Sequence, residues 1–323
     1  MKALSVFSGG LDSMLAAEVV RAQGVEVLGL FFESPFFSSE KARRSASTIR
    51  LPLKVIDITK RHLEVVKNPK HGHGENMNPC IDCHALMIRC AGELLEEEDA
   101  KFIITGEVLG QRPMSQNRQS LAVVAKESGF DRVLLRPLSA KHLSTTLPEE
   151  MGWIDREKLL DWSGRSRKPQ MALATQLGIG EYPSPAGGCL LTDGIFSRRL
   201  RDLLSARPDC ERREIDLLKL GRHFRIDSKT KVIVGRNKRE NQGIEALAKP
   251  EDLLLRTTAI PGPTVLVLGD LSSESENLAA AITASYSDTA DGLETEVMLT
   301  GMESNRVVYA IGQKKEAFKR YMI

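Results

Sequence analysis

The sequence lacks any long hydrophobic run. No apolar stretch approaches the roughly 20 residues that a membrane-spanning helix requires, so we expect no membrane segment. We also expect no signal peptide, because a strand-like stretch begins at residue 3. Cysteine is scarce, at five residues among 323, and two of the five form a Cys-x-x-Cys pair. These features predict a reducing compartment, the cytoplasm, and indicate a metal or redox site.

A strong overall charge is also missing. The formal net charge of +2 at pH 7 says little about partners. Between residues 198 and 240, however, fourteen Lys or Arg residues stand against seven Asp or Glu residues. Such a segment is typical of a polyanion-binding face, and clustered arginines on a solvated helix are the alternative. With 41% hydrophobic and 27% charged residues, we expect a soluble chain that is long enough for two globular domains.

One short stretch near the start carries most of the chemistry, and it runs Ser8-Gly9-Gly10-Leu11-Asp12-Ser13. It lies between a predicted buried strand, Ala3–Phe7, and a predicted helix, Met14–Arg21. In this arrangement the free N–H groups at the helix N-terminus face an anion, and the glycines let the backbone approach it. Asp12 is suited to hold a magnesium ion. The Walker pattern is absent, which excludes an ordinary P-loop, and a simple capped turn is the alternative.

Strands and helices alternate through the first two thirds of the chain. Further strands are predicted at residues 25–32, 53–58, 101–107 and 133–138, with helices between them. This alternation predicts an α/β domain with a parallel sheet, whose ligands bind at the carboxyl ends of the strands. The pattern breaks between residues 60 and 83, where residues 67–79 are expected to form a polar loop, and the next helix is expected over residues 85–97. Helices are expected to fill residues 148–178, with Arg165, Arg167 and Lys168 at a phosphate-facing turn.

The chain changes character after residue 213. Strands are predicted at Lys231–Gly235, Thr264–Leu268 and Arg306–Ala310, with a helix near Ser275–Tyr286. This pattern indicates a smaller α+β domain. We therefore expect two domains, residues 1–213 and residues 214–323.

Three cysteines are candidates for one site. Cys80 and Cys83 have metal-ligand spacing, and Cys189 follows a Pro/Gly-rich loop that makes it the natural third ligand. Three thiolates suit a 4Fe–4S cluster with one open iron. The alternatives are zinc with a histidine ligand (His84, His71 or His73), a metal-free pair of Cys80 and Cys189 that carries sulfur as a persulfide, and simple reduced thiols. Cys90 and Cys210 are expected to lie outside the site, Cys90 in the core.

Several of these motifs together resemble a known family. They are the loop at residues 8–13, the turn Asn78-Pro79-Cys80-x-x-Cys83, and Thr105-Gly106-Glu107-Val108-Leu109-Gly110-Gln111 followed by Ser115-Gln116. The first is similar to the PP-loop of the ATP pyrophosphatases, and the set resembles the tRNA thiouridine synthases, most of all the 4-thiouridine synthase (ThiI-like) branch. The resemblance implies an adenine nucleotide alpha hydrolase-like fold that uses ATP and Mg2+. It also implies adenylation of a uridine carbonyl oxygen in tRNA, followed by sulfur transfer to give thiouridine.

The resemblance assigns roles to particular residues. The residues implied in catalysis are Asp12, Cys80 and Cys189. Those implied in ATP binding are Ser8, Gly9, Gly10, Leu11, Asp12 and Ser13, with Gly106, Glu107 and Gln111 on the adenosine side or near the target nucleotide. Cys80, Cys83 and Cys189 resemble the ligands of cluster-dependent tRNA thiolases. The implied partners are tRNA and a sulfur donor, either inorganic sulfide or a persulfide carrier such as a cysteine desulfurase, and a homodimer is compatible with the sequence.

The C-terminal segment resembles a different module. Gly221-Arg222-His223-Phe224-Arg225 and Val234-Gly235-Arg236-Asn237 look like the NFACT-R module, which implies RNA binding through Arg222, Arg225 and Arg236. The 4-thiouridine synthases carry an RNA-binding region before the PP-loop, where this sequence has one strand, so the modified position and the sulfur source stay open. Two rival functions remain. One is a PP-loop sulfurtransferase or amide ligase acting on a small molecule, and the other is a zinc-bearing RNA-binding protein.

Overall fold

The computed structural model describes residues 1–184, 189–301 and 305–323. The chain divides into two compact units, Met1–Thr192 and Asp193–Ile323. The predicted boundary at residues 213 and 214 falls inside a short helix, Arg212–Leu217, and as a boundary between functional segments it stays a prediction. Within the described ranges, no helix is long and apolar enough to cross a membrane.

The first unit contains a five-stranded parallel sheet in the order β3-β2-β1-β4-β5. Its strands are β1 (Lys2–Val6), β2 (Glu26–Glu33), β3 (Leu53–Asp57), β4 (Phe102–Thr105) and β5 (Leu134–Leu135). The strand order reverses direction at β1, because β2 lies on one side of it and β4 on the other. Loops that leave the carboxyl ends of β1 and β4 therefore diverge around a crevice, which is where ligands bind in such sheets.

Helices cover both faces of this sheet, which confirms the predicted α/β architecture. They are α1 (Leu11–Arg21), α2 (Glu40–Thr48), α3 (Thr59–Lys67), α4 (Cys80–Glu93), α5 (Arg118–Ser128), α6 (Leu147–Glu150) and α7 (Lys168–Gln176). The consecutive residues Ala3 and Leu4 of β1 contact the two helix layers, one on each face of the sheet. Ala3 packs in a core with α1, α2 and α7, and Leu4 packs in a second core with α4 and α5. Because both faces are buried, the strands are almost continuously apolar.

Two predictions for this unit were wrong in detail. Residues 60–67, where the pattern was expected to break, lie in α3, which buries only His62, Leu63 and Val66 and leaves its other residues more exposed. The span from 148 to 178 is only partly helical, since its helical segments are α6, a single turn at Arg156–Lys158, and α7. In addition, α4 begins at Cys80 instead of near residue 85, so that both cysteines of the pair lie in its first turn.

The second unit is built on a six-stranded sheet in the order β11-β10-β8-β9-β7-β6, with antiparallel pairing throughout. The strands are β6 (Arg222–Arg225), β7 (Lys231–Val234), β8 (Leu253–Thr257), β9 (Val265–Leu268), β10 (Glu294–Thr300) and β11 (Arg306–Ile311). The helices are α8 (Gly194–Ala206), α9 (Arg212–Leu217), α10 (Lys238–Leu247) and α11 (Ser273–Tyr286). One face of the sheet packs on α11, and the other packs on α9 and α10. The predicted α+β domain is therefore confirmed.

Candidate functional site

The loop between β1 and α1 has the geometry that its glycines predict. Gly9 has a φ of +76°, and a Cβ at this position would lie 2.6 Å from Cα of Ala42 in α2, so that only glycine fits. Ser13 donates a hydrogen bond from its hydroxyl to the Gly10 carbonyl over 2.7 Å. No side chain of the described residues caps the N-terminus of α1. The N–H groups of Leu11 and Asp12 are thus available to an anion, whereas that of Ser13 donates to the Gly10 carbonyl over 3.0 Å.

The loop after β4 packs directly against this turn. A Cβ on Gly106 would lie 2.5 Å from the Ser13 nitrogen and 2.7 Å from the Asp12 carbonyl oxygen. The absence of a side chain at Gly106 therefore lets the two loops meet at the sheet crevice. The sequence assigned Gly106 to the nucleotide, and its nearest neighbours are in fact the backbone of the nucleotide loop.

The two loops border a cavity of about 650 Å³. All nine residues that the resemblance assigned to the nucleotide line it: Ser8, Gly9, Gly10, Leu11, Asp12, Ser13, Gly106, Glu107 and Gln111. Arg165 and Arg167 of the predicted phosphate-facing turn line it as well. Lys41 and Arg112 also line the cavity, and the sequence analysis missed both. Arg112 directly follows the Gln111 motif, whereas Lys41 reaches the cavity only because α2 packs on Gly9.

Asp12 is held by a chain of two amide side chains. Gln111 donates from Nε2 to Oδ2 of Asp12 over 2.8 Å, and Gln170 of α7 donates from Nε2 to Oε1 of Gln111 over 3.0 Å. The other carboxylate oxygen, Oδ1, is buried without a hydrogen-bond partner among the described residues. Burial raises the pKa of Asp12, although Gln111 and the charges of Arg167 and Arg112 act in the opposite direction. An unpaired buried carboxylate oxygen beside a phosphate-binding loop suits a divalent cation.

Glu107 lies at the base of the cavity in a buried polar network. Burial acts to raise its pKa, but the Arg136 charge and the His84 hydrogen bond outweigh burial and hold the pKa well below its usual range. Arg136 Nε lies 2.8 Å and His84 Nδ1 lies 3.1 Å from the carboxylate, which also accepts a bond from the Thr105 hydroxyl over 3.1 Å. Glu107 therefore organises the base of the cavity and orients His84, which lines the cavity.

The three candidate cysteines are neighbours. Cys80 and Cys83 lie in the first turn of α4, and the segment after Cys189 is tied to the loop before Cys80. The Met77 amide donates to the Leu191 carbonyl over 3.1 Å, and the Asn76 side chain donates to the Thr192 carbonyl over 2.7 Å. Burial raises the pKa of all three thiols, and the charges of Cys189 and Cys80 raise that of Cys83 further.

The remaining predictions about the cysteines concern their oxidation state, their burial and their ability to hold a metal. All five cysteines are free thiols, and Cys90 is buried in the core as expected. The expected loop at 185–188 lies outside the described residues. Among the residues that are described, no group of three His, Cys, Asp or Glu side chains is placed to hold a metal ion. Of the candidate zinc ligands, His84 contacts Glu107, and His73 contacts the Val66 carbonyl at 2.9 Å.

The three arginines expected to bind RNA lie in the second unit and differ in their partners. Arg225 donates two hydrogen bonds to Asp202, of 2.8 and 2.7 Å. Arg236 is paired with Glu240, its Nε lying 2.9 Å from Oε1. Arg222 instead lies over the ring of Tyr286, with Cζ 5.2 Å from the ring centroid. Two of the three guanidinium groups are thus already bound by carboxylates.

Comparison with known proteins gives two family matches. Residues 1–144 match the model described as "Thiamine biosynthesis protein (ThiI)", and residues 221–322 match the NFACT protein RNA binding domain. A probable tRNA sulfurtransferase of Thermoanaerobacter sp. (strain X514) is 30% identical over 148 residues, which are 42% of this chain and 36% of the relative. Another from Thermococcus kodakarensis is 27% identical over 203 residues, covering 56% of this chain and 51% of the relative.

A solved structure is also similar, a 4-thiouridine synthetase–RNA complex with bound ATP. It is 26% identical, with a TM-score of 0.37, over 55% of this chain and 51% of that one. The chain spans between about a third and a half of the length of the curated relatives described above.

Fold, loop and cavity define a PP-loop α/β domain joined to an antiparallel-sheet domain. Residues 1–144 of the first are similar to the ThiI family, and residues 221–322 of the second are similar to the NFACT protein RNA binding domain. The family resemblance stated from the sequence is thereby confirmed.

Proposed function

We propose that this protein is an ATP-dependent tRNA sulfurtransferase that converts a uridine into a thiouridine. The observation that carries the proposal is the cavity at the PP-loop. There an open helix N-terminus, an unpaired Asp12 oxygen and four cationic side chains converge. The cations are Lys41, Arg112, Arg165 and Arg167. This set matches the needs of a nucleoside triphosphate and its cation.

In the proposed reaction, a carbonyl oxygen of the uridine attacks the α-phosphorus of ATP, and the bond to pyrophosphate breaks. Backbone amides of Ser8–Ser13 and the surrounding cations stabilise the charge that develops on the phosphates. Asp12 would hold Mg2+, which when bound neutralises phosphate charge. Sulfur then attacks the activated ring carbon, and the carbon–oxygen bond breaks as AMP leaves.

The cysteines support delivery of sulfur at the same place. Burial raises the pKa of the Cys80 thiol, and the charge of Arg112, which lines the cavity, acts in the opposite direction. Three neighbouring thiols are a soft ligand set of the kind that iron–sulfur clusters use. Cys80, Cys83 and Cys189 would hold a 4Fe–4S cluster, which when bound offers an iron to exogenous sulfide. Zinc, or a persulfide on Cys80 or Cys189, is the alternative within this proposal.

The second unit supports tRNA as the substrate, because its family match is described as RNA binding. The sulfur donor is inorganic sulfide or a persulfide carrier such as a cysteine desulfurase. Five free thiols suit a reducing compartment, which we propose is the cytoplasm. A homodimer stays a prediction.

A second candidate function is sulfur transfer to a small-molecule cofactor, which the similarity of residues 1–144 to a thiamine biosynthesis protein family favours. The experiment that separates the two functions supplies purified protein with ATP, sulfide and an unmodified tRNA transcript. We expect pyrophosphate release that depends on tRNA and a thionucleoside in the digested product. The proposal would be contradicted by pyrophosphate release that is the same with and without tRNA, together with normal levels of thionucleosides in the tRNA of a deletion strain.

A further inference from the structure

One corner of the second unit collects cationic side chains around an aromatic ring. Arg222 on β6 and Lys315 on the final helical turn, Lys315–Tyr321, both approach Tyr286 at the end of α11. The turn is fixed next to β6, because the Ile323 amide donates to the His223 carbonyl over 3.0 Å. The corner is therefore a defined part of the fold.

Tyr286 holds two positive charges at once. Cζ of Arg222 lies 5.2 Å and Nζ of Lys315 lies 5.4 Å from the ring centroid, both within the range of a cation–π interaction. The ring itself is fixed by Phe224, whose centroid is 5.7 Å away. Lys319 and Arg320, on the same turn as Lys315, are exposed and add two further positive charges.

These cations differ from most others in the unit in having no carboxylate partner. Arg225 and Lys231 bind Asp202, Arg236 binds Glu240, and Arg256 binds Glu245. Within the described residues, Arg222, Lys315, Lys319 and Arg320 form no such ion pair. Glu316 is the acidic neighbour whose charge reaches Tyr286. Two like charges held over one ring repel each other, and a bound anion would relieve that repulsion.

We propose that Arg222, Lys315, Lys319 and Arg320 form the surface that binds the phosphates of RNA, with Tyr286 as the residue that positions the first two. The proposal rests on the proposed function, since tRNA is the RNA that the enzyme would hold. Arg222 supplies a planar guanidinium for a phosphate oxygen pair, and the lysines act as point charges. Arg225 and Arg236 are thereby assigned to the fold of the domain, because carboxylates already occupy them.

The test measures binding of the full chain to a fluorescently labelled, unmodified tRNA transcript over a series of salt concentrations. The variants are Arg222→Gln, Lys315→Gln and the double variant. Each lost phosphate contact should lower the slope of log K against log salt by about 0.7–0.9 and weaken binding at fixed salt. The matched control is Arg239→Gln, an exposed cation on α10, which packs on the opposite face of the sheet. We expect it to bind like the wild type.

Tyr286 is tested by two substitutions. Tyr286→Phe keeps the ring and should bind tRNA as the wild type does, whereas Tyr286→Leu should reproduce the loss seen in the double variant. A thermal melt shows whether each variant is folded. An unchanged slope of log K against log salt in the folded double variant would overturn the proposed RNA-binding surface. An equal loss of tRNA binding in Arg239→Gln would overturn it as well. If tRNA binding changes as expected while no thiolation is found, the surface stands and the proposed reaction fails.

Discussion

Gln111 donates a hydrogen bond to the Asp12 carboxylate over 2.8 Å, although 99 residues separate the two in the chain. The bond leaves the second oxygen of Asp12 buried and unpaired among the described residues, as expected for a cation ligand. Asp12→Asn keeps the shape of the side chain and removes its charge. We expect ATP-dependent pyrophosphate release to fall by about 100-fold or more, because charge that meets the phosphates is lost from a preorganised site. Unaltered pyrophosphate release by Asp12→Asn at saturating Mg2+ would contradict the role of Asp12 as a cation ligand.

Gln170 positions Gln111 in the same chain of hydrogen bonds, over 3.0 Å. Gln170→Leu removes that donor and should lower the apparent Mg2+ affinity by roughly 10-fold, since residues that orient a metal ligand have effects of about 10–100-fold. The measurement is pyrophosphate release as a function of Mg2+ concentration. Gln176→Leu, on an exposed position of the same helix, is the control. If both variants have the same Mg2+ dependence as the wild type, Gln170 does not act through Gln111.

Glu107 and Arg136 form a buried ion pair, with side chains that are 8% and 7% exposed. Glu107→Gln leaves the guanidinium charge buried without its partner. We expect the free energy of unfolding to fall by about 3–5 kcal/mol, measured by chemical denaturation. Glu107→Gln combined with Arg136→Met should recover part of the loss, because no unpaired charge remains. A single variant as stable as the wild type would show that the pair does not stabilise the fold.

His62 is fully buried between Phe36 and Phe37, whose ring centroids each lie 5.3 Å away. Burial lowers its pKa to about 4. A histidine with a depressed pKa is neutral in the folded state. Its contribution to the free energy of unfolding is therefore complete above about pH 6.5 and is lost as the pH falls toward 4. Between about pH 7 and pH 5 the loss should be about 2 kcal/mol.

The measurement for His62 is the free energy of unfolding at several pH values. His62→Gln should reduce the slope in this range, even if the variant is less stable overall. The control is His142→Gln, at an exposed position. Equal slopes in the wild type and His62→Gln would assign the pH dependence to other groups.

The sequence predicted those parts of the site that depend on local order. The order of strand, turn and helix at Ser8–Ser13 was predicted correctly, although α1 begins at Leu11 instead of Met14, so that Leu11–Ser13 form its first turn. The position of Lys41 was not predictable, since it depends on the close packing of Ala42 against Gly9. Glu107 illustrates the same limit, because a motif does not reveal that Arg136 will neutralise it inside the protein.

The second unit shows how remote partners change the meaning of a residue. Arg222, Arg225 and Arg236 look equivalent in the sequence. Asp202 lies on a helix before the sheet and binds Arg225, whereas Glu240 lies one helical turn from Arg236. The helix α3 was missed for another reason. Its buried face includes a histidine, and its other residues are mainly polar, so the apolar periodicity is weak.

The last prediction is that Cys80, Cys83 and Cys189 form one site, although more than one hundred residues separate Cys189 from the other two in the chain. Anaerobic reconstitution with iron and sulfide should load the wild type with a cluster, seen in iron content and in the visible spectrum. Each single Cys→Ala variant at these positions should lose most of the iron and the thiolation activity, because a cluster with two protein thiolates is poorly held. Cys210→Ala, at a buried cysteine of the second unit that forms no disulfide, is the matched control and should retain both. A native protein that holds only zinc, or a Cys189→Ala variant with full iron content and activity, would contradict the cluster. Thiolation that uses a persulfide donor, needs both Cys80 and Cys189 and proceeds with no iron in any form would instead favour the persulfide pair.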